Sequence, residues 1–209
     1  MNTTSLSLFL FAALMIAVVP GPGIFYVAAR TLSGGRRAGF ASTIGTGLGG
    51  LVHVMAGAVG VSAIILASAE LFAALKLIGA FYLVWLGFRT FRDAGRPTPD
   101  QIATSTPDQA FRDGVLVEAL NPKTAAFFLA FIPQFIDPAA GYPALHFIAL
   151  GVVSVTLNTS ADIVVVLMAS TASAGLARRP RLLQRLRQGS GIFIAGLGLS
   201  LAFARRPAS

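Results

Sequence analysis

The sequence predicts an all-α membrane protein with six transmembrane helices, arranged as two inverted three-helix repeats whose leading helices, the first and the fourth, are broken. Three observations carry that prediction. Of 209 residues, 55% are hydrophobic and only 11% charged, at a mean hydropathy of +0.76. A soluble domain carries about 25% charged residues, so this chain has too few polar side chains to cover a water-facing surface. The apolar residues gather into six long runs, and prolines interrupt the run that opens each half.

A bilayer core needs about 20 apolar residues per helix. On that measure the spans lie near Ser5–Ala28, Ala38–Leu66, Leu71–Phe88, Gly114–Ile136, Ala144–Ala172 and Gly189–Ala204. The first is not a signal peptide, because Met1–Thr4 carry no basic residue and the run is long enough to span. The last is short for a crossing and is counted as a span because of the repeat. The stretch Arg92–Ala110 holds Pro97, Pro99 and Pro107 among Asp, Ser, Thr and Gln, the composition of a solvated linker. It divides one transmembrane domain, residues 1–209, into halves of about 1–91 and 111–204. Three spans per half is an odd number, so related halves lie in opposite orientations, as in many secondary transporters. No residue-by-residue identity joins the halves; the repeat rests on the span count and the breaks.

Arginine sets the direction. Arg30, Arg36 and Arg37 follow the first span, Arg89, Arg92, Arg96 and Arg112 surround the linker, and Arg178, Arg179, Arg181, Arg185 and Arg187 follow the fifth. These twelve should be cytoplasmic, which places the N-terminus outside a bacterial inner membrane. Only Arg205 and Arg206 dissent. The net charge of +8 is thus explained by topology and implies no nucleic-acid partner. With no cysteine and only His53 and His146, no thiolate or zinc site can be built. No cofactor, metal or enzymatic constellation is expected.

The first span contains Pro20-Gly21-Pro22-Gly23. A helical proline withdraws the donor that would serve the carbonyl four residues back, so Pro20 frees Ile16 and Pro22 frees Val18. Asn121-Pro122-Lys123 breaks the fourth span likewise, and Pro122 frees the carbonyl of Glu118. In hydrocarbon, freed backbone groups survive only where protein or a wet cavity satisfies them. Interrupted helices at matching places in two halves point to a transport site.

Charges within the spans narrow the site. Lys123 lies eleven residues past Arg112, roughly 16 Å along a helix and near mid-bilayer, where insertion of a lysine costs about 2.5–3.5 kcal/mol. The economical arrangement pairs it with Glu118 or Asp162 around a polar cavity, with Asn158 one turn before Asp162. Lys76, near the outer end of its span, snorkels in the ordinary reading, and His53 packs; both are secondary candidates, with Asn158. His146 lies near the outer interface. Tyr82 and Trp85 fit an interfacial belt, and Gly45, Gly49, Gly57 and Gly60 fit close helix packing.

Taken in order, Pro20-Gly21-Pro22, Leu75-Lys76-Leu77-Ile78-Gly79-Ala80, Tyr82-Leu83, Leu86-Gly87, Asn121-Pro122-Lys123, Phe127-Phe128 and Phe131-Ile132-Pro133-Gln134-Phe135 resemble the LysE/RhtB family of amino-acid exporters, over nearly the whole chain. The resemblance implies an inner-membrane exporter of amino acids or close derivatives, driven by proton antiport, with six spans and with Asp162 at a position where such proteins often carry an acid. Its partners are then an amino acid, protons and the bilayer, with a homodimer admitted as an assembly. A cation, metal-ion or other small-metabolite efflux carrier of related fold is the alternative, against which Lys123 argues.

A zwitterionic substrate suits this inventory. Its carboxylate would meet the amides of Gly23, Ile24 and Phe25 at the start of the second half-helix and the ammonium of Lys123. Its own ammonium would meet Glu118, Asp162 or the freed carbonyls. Asp162 or Glu118 would carry the proton, since burial disfavours the charged form of a carboxylate.

Overall fold

The computed structural model describes residues 3–67, 69–95, 106–136, 141–171 and 180–203, and among these residues every regular element is helical. Seven α-helices follow in order: α1 (Thr3–Val18), α2 (Pro22–Ala67), α3 (Ala69–Arg92), α4 (Pro107–Ala119), α5 (Pro122–Ala126), α6 (Pro143–Thr171) and α7 (Pro180–Phe203). A π-helical turn (Phe127–Phe131) and a 3-10 turn (Ile132–Phe135) continue α5. By length and composition, Pro22–Gly60 and Pro143–Thr171 can cross a membrane, and α4 with residues 122–135 forms a third such unit bent by 41°. Thr3–Val18 and Gly191–Ser200 are shorter apolar helices.

The chain breaks where the prolines stand. α1 stops at Val18, and α2 starts at Pro22, the first-turn position where a missing N–H costs nothing. α2 is itself two helices joined at Gly35, whose φ of 71° is open to glycine at little cost. Helix therefore continues through residue 34, beyond the expected limit at Ala28, because nothing between Pro22 and Gly34 breaks it. Arg30, expected in a loop, rides on this helix. α7 likewise begins nine residues before the expected Gly189, so Arg181, Arg185 and Arg187 lie on helix as well. Arg96, Arg178, Arg179, Arg205, Arg206 and most of the linker fall outside the described residues. Within α4, Thr106 accepts from the amide of Gln109 while the Gln109 side chain accepts from that of Thr106, a closed capping box ahead of Pro107.

α2 packs along α4 and α6, and α3 packs along α7. Small residues permit the approach. A Cβ on Gly45 would run into the carbonyl of Phe111, and one on Gly49 would stand 2.5 Å from that of Val115 and 2.8 Å from the Cβ of Glu118. The second of these contacts fixes how near Glu118 stands to α2. One core cluster joins Phe9, Ala13 and Ile16 of α1 to Phe127, Phe128 and Phe131, with Val54 and Phe147; another joins Ala80 and Leu83 to Ala126, Ala130 and Ile194. Outside these, large apolar side chains face outward, Phe81 at 76% and Val59 at 72% exposure. Such a surface is stable against lipid rather than water.

Candidate functional site

The two breaks meet. Lys123 is 5% exposed, and its ammonium donates to the carbonyls of Ile16 at 3.0 Å and Val19 at 3.1 Å. The first is the carbonyl that Pro20 deprives of its donor. The second lies just past the last residue of α1, next to Val18, whose carbonyl was the other one expected to be freed. Carbonyls at a helix end need a partner when buried, and the lysine of the other half supplies it. This corrects the expected ion pair: among the described residues no salt bridge joins Lys123 to Glu118 or Asp162. Two of its three N–H donors are spent on backbone. Gly21 makes room for it, since a Cβ there would lie 3.1 Å from Lys123 Nζ and Cε.

Asn121 organises the second break. Its side chain caps α5 by accepting from the amide of Lys123 at 3.0 Å, and its Nδ2 donates to Glu118 Oε2 at 2.9 Å. Thr124 Oγ1 donates to Glu118 Oε1 at 2.6 Å. The carbonyl of Glu118, which Pro122 denies its helical donor, accepts from the amide of Asn121 at 3.0 Å and from His53 Nε2 at 2.9 Å, and the His53 ring lies 5.8 Å from that of Phe128. His53 is the satisfied packing histidine of the ordinary reading, and that bond fixes its Nε2 as protonated.

The carboxylate of Glu118, 3% exposed, lies at the start of α2, where a Cβ on Gly23 would fall 2.6 Å from Oε2. The backbone of Phe25 is already committed to the carbonyl of Gly21 at 3.0 Å. The helix start expected to receive a substrate carboxylate is therefore crowded by the protein's own acid. That is a second correction, and it follows from the close approach that Gly23 permits.

A small, partly open cavity of about 30 Å³ lies between the breaks. Its polar lining is Thr46, Glu118, Lys123, Thr124, Ser154 and Asn158, and Phe127 and Phe128 are among its apolar walls. The site thus offers one cation, one anion, hydroxyls and an aromatic surface in one enclosure. Of the expected residues, Glu118, Lys123 and Asn158 line it. Pro20, Gly21, Pro22, Gly23, Asn121 and Pro122 form the two breaks at its edge. Asp162 stands behind the lining, fully buried, with Oδ2 at 2.9 Å from Thr46 Oγ1. Lys76 lies half-buried on α3 and does not line the cavity. The residues that sequence reasoning passed over are Thr46, Thr124 and Ser154. Hydroxyls among small residues inside a span were the available signal, and the neighbouring glycines drew the attention to packing.

Towards one end of the bundle, residues 22–34 are tied to α4. Arg30 bridges to Asp113 at 2.7 Å and donates from Nε to the hydroxyl of Tyr26 at 3.1 Å, and that hydroxyl donates to the carbonyl of Ala110 at 2.8 Å.

Residues 14–205 match the family described as LysE type translocator. The chain is similar to an uncharacterized membrane protein of Vibrio cholerae, 32% identical over 94% of this chain and 96% of the relative. It is similar to one of Pseudomonas aeruginosa, at 31% over 94% of each. It is also similar to the homoserine/homoserine lactone efflux protein of Salmonella typhimurium, at 30% over 94% of this chain and 95% of the relative. No solved structure matches.

Proposed function

The chain belongs to the LysE-type translocator family, and from that membership we propose that it exports amino acids or close derivatives across the bacterial inner membrane by proton antiport. The observation that carries the proposal is the cavity between two broken helices with Lys123 and Glu118 both in its lining. The remaining N–H of Lys123 suits a carboxylate, the carboxylate of Glu118 suits an ammonium, and Asn158, Ser154 and Thr124 supply neutral partners. Phe127 and Phe128 suit a short apolar stem. Homoserine and its lactone, named for a relative, share the amino group and differ in the carboxylate. Both therefore need Glu118, and the free acid alone needs Lys123.

The pairing of α3 with α7 and of α2 with α6 supports six spans in two inverted halves, because in each pair a helix meets its counterpart across the repeat. In this reading the N-terminus lies outside, the Arg30–Asp113 end is cytoplasmic, and one half rocks against the other about the breaks. Asp162 or Glu118 carries the proton.

The test loads liposomes holding the purified protein with labelled homoserine and imposes a proton gradient directed inwards. Efflux should quicken with the gradient and lose that acceleration with a protonophore. Efflux equal to that of protein-free liposomes for homoserine, its lactone and the other neutral amino acids sinks the proposal.

A further inference from the structure

An antiporter needs its proton and its substrate to compete, and the cavity lining holds one acid, Glu118. The other acid at this depth, Asp162, is 0% exposed. Among the described residues its one hydrogen bond is to Thr46, and its Oδ1 has no partner. A buried carboxylate ion with a single hydrogen bond and no ion pair is poorly compensated.

The hydroxyl of Thr46 makes the point sharper. It has one hydrogen and two acceptors at 2.9 Å, Asp162 Oδ2 and the carbonyl of Thr43. Both contacts are full two-centre hydrogen bonds together only when Asp162 carries a proton. Asp162 then donates to Thr46 Oγ1, and Thr46 donates to Thr43. The hydroxyl of Thr43, buried beside them on the same helix, is unpartnered too.

We propose that Asp162 holds the exchanged proton and that Thr46 is the positioning residue that sets this proton against the substrate. The inference rests on the exporter reading and deepens it. Thr46 lines the cavity and touches Asp162, so it belongs to both places. With Asp162 protonated, Thr46 accepts from it, turns its own hydrogen to Thr43, and keeps one lone pair for the cavity. When cavity water takes the proton, the Oδ2–H bond breaks, hydronium leaves, and Thr46 turns its hydrogen onto the carboxylate. Two lone pairs are then free, with a negative charge behind them. Both changes favour an ammonium group in the cavity. Binding the substrate therefore expels the proton, and protonation expels the substrate, by the reciprocity that links any two sites.

Few other charges face Asp162. α6 packs against α1, α2 and the 3-10 turn, and α1 and that turn carry no titratable side chain. On α2, His53 is held by Glu118, Arg30 by Asp113 and Arg36 by Ser170 two turns away, while Arg37 is exposed. Glu118 and Lys123 reach Asp162 electrostatically, and His146 lies at the far end of α6.

The experiment measures the binding of labelled homoserine to purified protein between about pH 5 and pH 8. In the wild type the apparent Kd should rise by up to about tenfold for each unit of acidification across the range of competition. Thr46→Val should flatten that dependence to less than about threefold overall, Thr46→Ser should keep it, and Asp162→Asn should abolish it. A wild-type slope in folded Thr46→Val or in Asp162→Asn overturns the proposal, as does a flat profile in Thr46→Ser. A wild type that binds homoserine with no pH dependence overturns it and leaves the exporter standing. A wild type that binds no amino acid at any pH overturns the exporter reading itself.

Discussion

Replacing Lys123 with methionine separates two jobs that the ammonium performs. Its bonds to Ile16 and Val19, at 3.0 and 3.1 Å, satisfy carbonyls at the end of α1. Leaving each buried carbonyl unpaired costs about 1–3 kcal/mol, so Lys123→Met forfeits about 2–6 kcal/mol at the break. Removing the charge from mid-bilayer returns about 2.5–3.5 kcal/mol, and the methionine stem still covers Gly21. The net effect on stability falls between a gain of about 1.5 and a loss of about 3.5 kcal/mol. The variant should therefore fold. Transport has no such compensation, because removing one partner of a buried charge pair costs about 2–5 kcal/mol, or at least about 30-fold in affinity for a carboxylate. Homoserine efflux from liposomes should fall by at least that factor at low substrate, while the lactone, which has no carboxylate, should fall far less. Thermal unfolding in detergent monitors the fold alongside. Equal losses for acid and lactone in a folded variant would refute the carboxylate role. Failure to recover folded protein would refute the balance of terms and make Lys123 a structural clamp.

Three further outcomes follow from the geometry. Gly45→Ala drives a Cβ into the Phe111 carbonyl and should lower stability by about 1–3 kcal/mol, whereas Gly60→Ala, with nothing within 4 Å, should be neutral or stabilising by up to about 1 kcal/mol; detergent melting curves that reverse this order contradict the α2–α4 packing. Asn121→Ala removes both a cap and a donor to Glu118 and should cost about 2–5 kcal/mol, while Asn121→Ser, which can still cap, should recover part of it in the same assay. The chain has no cysteine, so Arg30→Cys with Asp113→Cys can be joined selectively by a short thiol cross-linker. Export should stop when they are joined and resume on reduction, and undiminished export from the joined protein would show that this end of the bundle need not part.

How far the sequence could be read depended on whether a residue acts alone or through a contact. Pro20 and Pro122 each act on the carbonyl four residues back, a covalent matter, so both breaks and the freed Ile16 and Glu118 carbonyls were legible. The partner of each carbonyl was not, because Lys123 reaches Ile16 across 107 residues and His53 reaches Glu118 across 65. Charge attraction suggested a lysine–carboxylate pair; the geometry of the breaks gave the lysine to the carbonyls and the carboxylate to Asn121 and Thr124. Span limits drifted for a related reason. Hydropathy marks where lipid begins, but Arg30 stays on its helix past that limit because Tyr26 and Asp113 hold it. Thr46 was passed over because a hydroxyl within a span bonds its own backbone in most settings, and only the fold places Asp162 beside it.

Each break is completed by the other half of the chain. The Ile16 and Val19 carbonyls of the first are held by Lys123, the Glu118 carbonyl of the second is held by His53, and the Glu118 carboxylate lies against Gly23. The proposed rocking of one half against the other would strain these bonds, the Thr46–Asp162 bond and the Arg30–Asp113 bridge as well as an apolar seam. In the proposed exporter, an empty crossing would leave the Lys123 ammonium and the Ile16 and Val19 carbonyls unpaired in the low-dielectric interior, where the penalty is greatest, while Glu118 keeps Asn121 and Thr124 of its own half. The carboxylate of a zwitterionic substrate would supply a substitute acceptor for Lys123 at the moment of crossing. On the proposed return, a proton on Asp162 would remove the charge of that buried carboxylate. The contacts that hold the first break together would thus make an empty crossing costly and the loaded ones less so, which is the condition an exchanger has to meet.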